Sequence, residues 1–185
     1  MPLDIDNIRA DTPGLPGSLH LGASGSALMP RPVLSAMQDH LALEAETGGY
    51  EAQAQRAESL DAVYDQVARL LGAQRQEIAL VENATVAWCQ AFYALPLKAG
   101  QRILTSEAEY AANYVAFLQR AKRDGVTIEA IPNDPTGRLD PTALEAMIDE
   151  RVGLIAITWI PTNGGLVNPA AEVGKIARAH GIPYL

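Results

Sequence analysis

The sequence has little positive charge, a single cysteine and no long uninterrupted apolar run. Its 14 lysine and arginine residues are outnumbered by 22 aspartate and glutamate residues, which gives a formal net charge of -8. Nucleic-acid binding requires a basic face for phosphates, so this charge balance argues against that class. The one cysteine, Cys89, excludes an internal disulfide framework and is typical of a reducing compartment. With neither a spanning run nor a signal-peptide pattern, we expect a soluble cytoplasmic protein with no membrane partner.

The residues that are present predict one globular chain in three segments. Its 185 residues are 48% hydrophobic, enough for a sizeable core. Residues 1–30 mix Pro, Gly and Ser and predict an irregular arm with one short helical piece. Residues 31–72 predict two helices, the second of which ends at Gly72. Residues 73–185 alternate apolar runs with amphipathic helices, which predicts an α/β domain with a mostly parallel sheet flanked by helices.

Four apolar runs predict the strands of that domain: "EIALVE", "RILTSE", "VTIEAIP" and "GLIAITWI" (77–82, 102–107, 126–132 and 153–160). The last run has no polar alternation, which indicates a strand buried on both faces. Asp140-Pro141 and Asn168-Pro169 each predict a capped helix start. The final "GIPYL" predicts the start of a further strand, so we expect an incomplete domain and the N-terminal part of a longer polypeptide.

Three predicted strand ends lead into loops with chemical potential, and ligands of open α/β sheets bind at this edge. In the first loop, Asn83 caps a helix, and we expect the amides of Ala84, Thr85 and Val86 to be unpaired. A helix N-terminus favours an anion, and the Thr85 hydroxyl adds a donor. An ordinary capped helix explains the same pattern, because Asn is a favoured N-cap everywhere. From these residues both explanations stay open.

The second loop, "SEAEYAANY", places Glu107 and Glu109 where at least one could cap the next helix. Tyr110 in this loop could stack on a flat ligand, although its pattern favours a half-buried anchor. The third loop, "TWIPTNGGLVNP", offers the polar side chains of Thr162 and Asn163, and its Gly-Gly pair allows close approach or simply a tight turn. Taken together, the three loops favour a shared ligand site.

Other reactive residue types do not form a pattern. Cys89 lies on an apolar helix face, which favours a core position over a nucleophile. The three histidines have no metal-ligand spacing, and we expect no metal site. Only His20, beside "LGASG", could face a ligand. The lysines at 98, 122 and 175 are typical of polar surface.

In this order, "VENATVAWCQAF", "SEAEYAANYVAF", "ITWIPTNGGLVNP" and "IARAHGIPYL" resemble the class V aminotransferase group of pyridoxal phosphate enzymes. The resemblance covers essentially the whole chain and implies the N-terminal part of the large domain of fold type I, preceded by an irregular arm and two helices. The group includes cysteine desulfurases, isopenicillin N epimerase-like proteins and the C–S lyase of ergothioneine synthesis. "HLGASGSALMPRPV" and "LEAETGGYEAQ" resemble the last two more than the desulfurases.

The resemblance implies the cofactor pyridoxal 5'-phosphate, an amino-acid-type substrate and a homodimer. Ala84 and Thr85 match the phosphate cradle of the group. Tyr110 stands where many members have a histidine stacked on the pyridine ring. Thr162 falls near an asparagine that contacts the phenolic oxygen of the ring, and Asn163 is the alternative for that contact. The arm at 23–26 and the turn at 48–50 correspond to regions that meet substrate or the partner subunit.

The resemblance also implies what these 185 residues lack. In the group, an aspartate for the pyridine nitrogen and the Schiff-base lysine follow the "GIPYL" segment, so we expect no catalytic residue here and no activity from this chain alone. The full-length enzyme would perform C–S lyase, desulfurase-like or epimerase chemistry. The alternatives are a truncated non-catalytic product, one chain of a split enzyme, or an unrelated α/β module that binds a phosphorylated metabolite.

Overall fold

The computed structural model describes residues 3–22, 26–162 and 164–185. Two compact units divide the chain, Met1–Ala79 and Leu80–Leu185. The predicted arm contacts at 23–25 and the candidate ligand contact Asn163 lie outside the described residues. The predicted division of the chain into segments 1–30, 31–72 and 73–185 stays a prediction.

The first unit is helical. Its elements are α1 (Ile5–Ala10), a 3-10 turn (Leu15–Gly17), α2 (Arg31–Thr47), α3 (Gly49–Gln55), α4 (Ala57–Leu71) and a second 3-10 turn (Arg75–Glu77). Gly48 and Gly72 end α2 and α4 with φ of 94° and 67°, angles that suit glycine. The second predicted helix is in fact two, because Arg56 departs from helical geometry with ψ at 8°. The apolar stripe of α2 stays largely solvent-exposed within this unit.

The second unit is an α/β layer structure. It contains α5 (Ala84–Ala94), β1 (Arg102–Ser106), α6 (Ala111–Asp124), β2 (Thr127–Ile131), α7 (Pro141–Met147), β3 (Val152–Ala156) and α8 (Ala170–Ala179). In the described part of the chain the strands form one sheet in the order β2-β1-β3, with both pairs parallel. The predicted α/β class with a parallel sheet is confirmed.

Helices cover both faces of this sheet. Neighbouring residues of a strand point to opposite faces, and Ile103 and Leu104 accordingly belong to different core clusters. Leu104 packs with Leu144 of α7 and with Val173 of α8. Ile103 packs on the other side with α5 and α6. All five residues of β1 and all five of β3 are buried, which confirms the strand buried on both faces.

The predicted strand "EIALVE" is absent from the described structure. Its first residue ends a 3-10 turn, the rest is neither helix nor strand, and Leu80 is half exposed. An apolar run becomes a strand only when a neighbour pairs with its backbone. Among the described residues no strand pairs with this run: β2 and β3 flank β1, and Tyr184 bridges the other side of β3.

Those last residues run beside β3. Tyr184 forms a parallel bridge with Ile155, and the Leu185 amide donates to the Ile155 carbonyl at 3.0 Å. The predicted "GLIAITWI" strand is shorter than expected, since it leaves the sheet after Ala156 and exposes Trp159.

Asp140 caps α7 as predicted, because its carboxylate accepts from the Thr142 amide at 2.8 Å. Asn168 does not cap α8. Pro169 is the N-cap, and the buried Asn168 side chain instead accepts from the Leu139 amide at 3.0 Å. Burial explains the difference, since an amide side chain inside the protein must satisfy both its acceptor and its donor. Of the described helices, none is both long and apolar enough to cross a membrane.

Candidate functional site

The loops that follow β1 and β3 meet at one edge of the sheet. Both strands run in the same direction, with Thr105 paired to Ala156, so their carboxyl ends lie side by side. The residues that follow, 107–110 and 157–168, therefore share the edge where open α/β sheets bind ligands.

A cavity of about 400 Å³ opens between these two loops. Its described lining contains Tyr110 from the first loop and Thr162 from the second, so two of the predicted site residues are brought together. The other described lining residues are Ala108, Glu109, Ala111, Pro161 and Gly164. The cavity is open on one side and large enough to admit a small planar ring.

Tyr110 is the N-cap residue of α6, and its side chain is half exposed at the cavity. Its backbone amide donates to Glu109 Oε1 at 2.8 Å and to Thr158 Oγ1 at 3.2 Å. The backbone of this residue is therefore held from both loops, while the residue as a whole stays half exposed. The geometry accommodates a stacked ligand and also the half-buried anchor that its sequence pattern favoured.

The start of α5 offers donors for an anion, but fewer than expected. Asn83 caps the helix by accepting from the Val86 amide at 3.0 Å, so that amide is already bound. The prediction that it is unpaired is wrong, because the cap consumes it. Ala84 and Thr85 are exposed, and among the described residues their amides have no hydrogen-bond acceptor. Two amides and the Thr85 hydroxyl remain.

The topology places these donors on the same side as the cavity. α5 precedes β1 in the chain and α6 follows it. Both helices therefore run antiparallel to β1 and parallel to each other. Contacts between them agree, since Trp88 and Phe117 lie 5.5 Å apart between ring centroids and the Tyr93 hydroxyl donates to Gln119 at 2.8 Å. The cavity lining itself, as far as it is described, does not extend to Ala84 or Thr85.

Glu109 is a functional candidate that the sequence pattern alone did not indicate. Its half-buried carboxylate accepts from the Asn113 side chain at 2.9 Å and from the Thr158 amide at 2.9 Å, besides the Tyr110 amide. The N-cap of α6 is Tyr110, and Glu109 accepts from the amide of that residue and not from an amide of the first helical turn, so the expectation that one of the two glutamates caps α6 is wrong. Glu107 instead accepts from the Asn133 side chain at 2.8 Å. The bond to Thr158, 49 residues away, had no signal in the sequence.

Asn168 closes the base of the second loop. Its backbone amide donates to the Trp159 carbonyl at 2.8 Å, and its side-chain amide donates to the Thr158 carbonyl at the same distance. The loop that carries Thr162 is therefore fixed at both ends.

The remaining predicted contacts lie in the first unit. The ring of His20 makes a hydrogen bond with the Ser26 carbonyl at 2.9 Å. Tyr50, in the turn expected to meet substrate or a partner subunit, is exposed. Among residues 3–22, 26–162 and 164–185, no group of three or more His, Cys, Asp or Glu side chains could hold a metal ion.

The model of the aminotransferase class-V family matches residues 19–185. The chain belongs to this family. Among curated members, the cysteine desulfurase of Salmonella gallinarum is 31% identical over 199 residues, covering 100% of this chain and 49% of the relative. The class-V chain described here thus spans about half the length of the curated relatives it matches.

Solved structures agree on the fold of this class-V chain. A cysteine desulfurase of Escherichia coli superposes with a TM-score of 0.88 at 24% identity, over 100% of this chain and 48% of that one. A mutant of C-DES with glycine covalently linked to its PLP cofactor superposes with a TM-score of 0.84 at 20% identity. That match covers 95% of this chain and 47% of the other. The predicted family and fold type are confirmed. The finer resemblance to isopenicillin N epimerase-like and ergothioneine lyase proteins stays a prediction.

The residues at the sheet edge fit the cofactor of this family. A pyridoxal phosphate needs donors for its phosphate and a flat partner for its ring. Ala84 and Thr85 provide exposed donors, and Tyr110 provides a half-exposed ring at a cavity shared with Thr162. All of these groups lie on the side of the sheet where the strands end.

Proposed function

We propose that this chain is the N-terminal part of a pyridoxal-phosphate-dependent enzyme that acts on an amino-acid substrate. The class of reaction is C–S bond cleavage as in a lyase or desulfurase, or epimerisation. The observation that carries the proposal is the cavity between the loops after β1 and β3, which both Tyr110 and Thr162 line. The family match supports it, and so does the location at the carboxyl ends of parallel strands.

Each predicted site residue has a role in this proposal. The amides of Ala84 and Thr85 and the Thr85 hydroxyl bind the cofactor phosphate, assisted by the dipole of α5. The Tyr110 ring lies against the cofactor ring. Thr162, or Asn163 beside it, donates to the phenolic oxygen of the ring. A tyrosine here can position the ring by stacking, whereas the histidine found in many members could also move a proton.

The bound cofactor supplies an electron sink for bonds at the α-carbon of an amino acid. The residues of this chain contribute binding and orientation, while the lysine that attaches the cofactor belongs to the proposed remainder of the enzyme. On this proposal residues 1–185 alone bind part of the cofactor and do not catalyse. The complete enzyme would be a cytoplasmic homodimer.

A second candidate function is supported by one observation. The donors of Ala84 and Thr85 are not part of the described cavity lining, so they could bind the phosphate of a metabolite with no ring at Tyr110. This would be the unrelated phosphometabolite module. The family match favours the enzyme.

The decisive experiment adds pyridoxal phosphate to the natural full-length protein and follows its visible absorbance, with inorganic phosphate and pyridoxal as comparison ligands. The proposal expects a stable visible band that survives desalting, and weaker binding of each comparison ligand. Binding of inorganic phosphate as tight as that of pyridoxal phosphate, without a visible band, would support the second candidate. If the DNA after the Leu185 codon encodes no lysine-bearing segment, the truncated or split forms take the place of the single-chain enzyme.

A further inference from the structure

We propose that Glu109 is a positioning residue that sets the spacing between Tyr110 and the loop bearing Thr162, and through it the affinity of the site for a planar ring. The inference rests on the proposed function, since it assigns Glu109 a part in cofactor binding. It concerns a residue that does not itself need to touch the ligand.

The two oxygens of the carboxylate join different elements. Oε1 accepts from the Tyr110 amide and from the Asn113 side chain, both at the start of α6. Oε2 accepts from the Thr158 amide at 2.9 Å and from the Thr105 hydroxyl at 3.2 Å. One side chain therefore connects the end of β1, the start of α6 and the loop after β3.

Thr158 strengthens this connection from the opposite side. Its hydroxyl donates to Glu109 Oε1 and lies 3.2 Å from the Tyr110 amide, which donates to it. Its carbonyl accepts from the buried Asn168, which fixes the base of the loop. A continuous series of hydrogen bonds thus extends from Tyr110 through Glu109 and Thr158 to Asn168.

A carboxylate suits this position better than an amide. Every strong contact of Glu109 comes from a donor, and an ionised carboxylate accepts on both oxygens. A glutamine has nearly the same shape but only one acceptor, so its amide group would face donors and lose about half of these bonds. Hydrogen bonds to a charged acceptor are also stronger than those to a neutral one.

The phosphate donors are independent of this network. Ala84 and Thr85 lie at the start of α5, whose cap is Asn83, and no contact joins that cap to Glu109 in the described chain. Loss of Glu109 should therefore affect the ring and leave the phosphate contacts intact. This selectivity separates a positioning role from a merely structural one.

The test compares Glu109→Gln with Glu107→Gln in the natural full-length protein. Both variants lose one negative charge and lie in the same loop, but within the described part of the chain Glu107 accepts only from the Asn133 side chain. Dissociation constants are measured for pyridoxal phosphate, pyridoxal and inorganic phosphate. We expect Glu109→Gln to weaken the binding of both ring ligands about tenfold and the binding of inorganic phosphate by less than about twofold. The dissociation constants of Glu107→Gln should match those of the wild type.

The outcomes separate the two proposals. Wild-type protein that binds no pyridoxal phosphate would overturn the proposed function and this inference with it. Wild-type binding together with unchanged ring affinity in Glu109→Gln would overturn the inference alone. If Glu109→Gln does not fold, Thr158→Val removes one hydroxyl from the same network. A ring-selective loss of about threefold in that variant supports the inference, and an equal loss for ring and phosphate ligands contradicts it.

Discussion

Replacing Thr85 with valine should weaken retention of pyridoxal phosphate by the full-length protein. Thr85 is the second residue of α5 and is exposed, and its hydroxyl is one of three donors left at this helix start after Asn83 has bound the Val86 amide. A hydrogen bond to a charged group contributes about 1.5–3 kcal/mol. Since about 1.4 kcal/mol is tenfold in a binding constant, the loss is roughly 10- to 150-fold.

The exposed position of Thr85 places the expected value near the lower end, about tenfold, because water competes for the phosphate there. Valine has nearly the shape of threonine and the same branching at Cβ, so we expect the stability of α5 to change little. Thr85→Ser keeps the hydroxyl and is the matched control. Its affinity should stay close to that of the wild type.

The assay is a titration of apo-protein with pyridoxal phosphate, read by visible absorbance and by the amount retained after desalting. Urea unfolding of each variant checks that the fold is intact. Equal affinity of the valine variant and the wild type would refute the phosphate cradle at Ala84 and Thr85. A loss shared by the serine variant would assign the effect to packing and not to the hydroxyl.

Three further predictions concern stability, measured by urea unfolding. Asn168→Ala leaves the Leu139 amide and the Thr158 carbonyl without their side-chain partner and should lower the free energy of unfolding by about 2–4 kcal/mol. Arg120→Met should lower the free energy of unfolding by about 2–4 kcal/mol, because the buried guanidinium donates to backbone carbonyls after α5. Arg123 is exposed, so Arg123→Met should lower this free energy only a little. The pKa of Asp134 is lowered to about 2, chiefly by a hydrogen bond from Thr136, so the wild type should be more stable than Asp134→Asn above about pH 3.8 and lose this advantage as the pH falls towards 2.

Each of these has a contrary outcome. Equal stability of Asn168→Ala and wild type would mean that water replaces both lost bonds. Equal effects at positions 120 and 123 would mean that the carbonyl contacts of the buried guanidinium contribute nothing. If the free energies of unfolding of the wild type and Asp134→Asn differ by a constant amount from pH 7 to 2, the lowered pKa of Asp134 is contradicted.

Much of the second unit follows from local sequence pattern. The buried run at 152–156 has no alternation, and Asp140-Pro141 combines a cap with a favoured first helical residue. These features depend on neighbours in the chain, which the sequence displays directly. The meeting of Tyr110 and Thr162 was also predictable, because parallel strands bring their carboxyl ends to one edge.

Features decided by distant partners were not predictable in the same way. The run at 77–82 has strand propensity, but no backbone pairs with it in the described chain. Asn168 looks like a helix cap beside Pro169, yet its side chain bonds Leu139, 29 residues away. One of Glu107 and Glu109 was expected to cap α6, but the N-cap is Tyr110, and the bonds of Glu109 to Thr158 depend on how β1 and β3 are placed in the sheet.

The closed base of the loop after β3 has a consequence for redesign. Asn168 donates from its backbone amide to the Trp159 carbonyl and from its side chain to the Thr158 carbonyl. These two hydrogen bonds fix both ends of the segment 160–167 and do not involve that segment itself. Segments of different length or composition should therefore be exchangeable there without disturbing the sheet. Grafting this one stretch from other family members would then vary the residues around Thr162 while the scaffold stays unchanged.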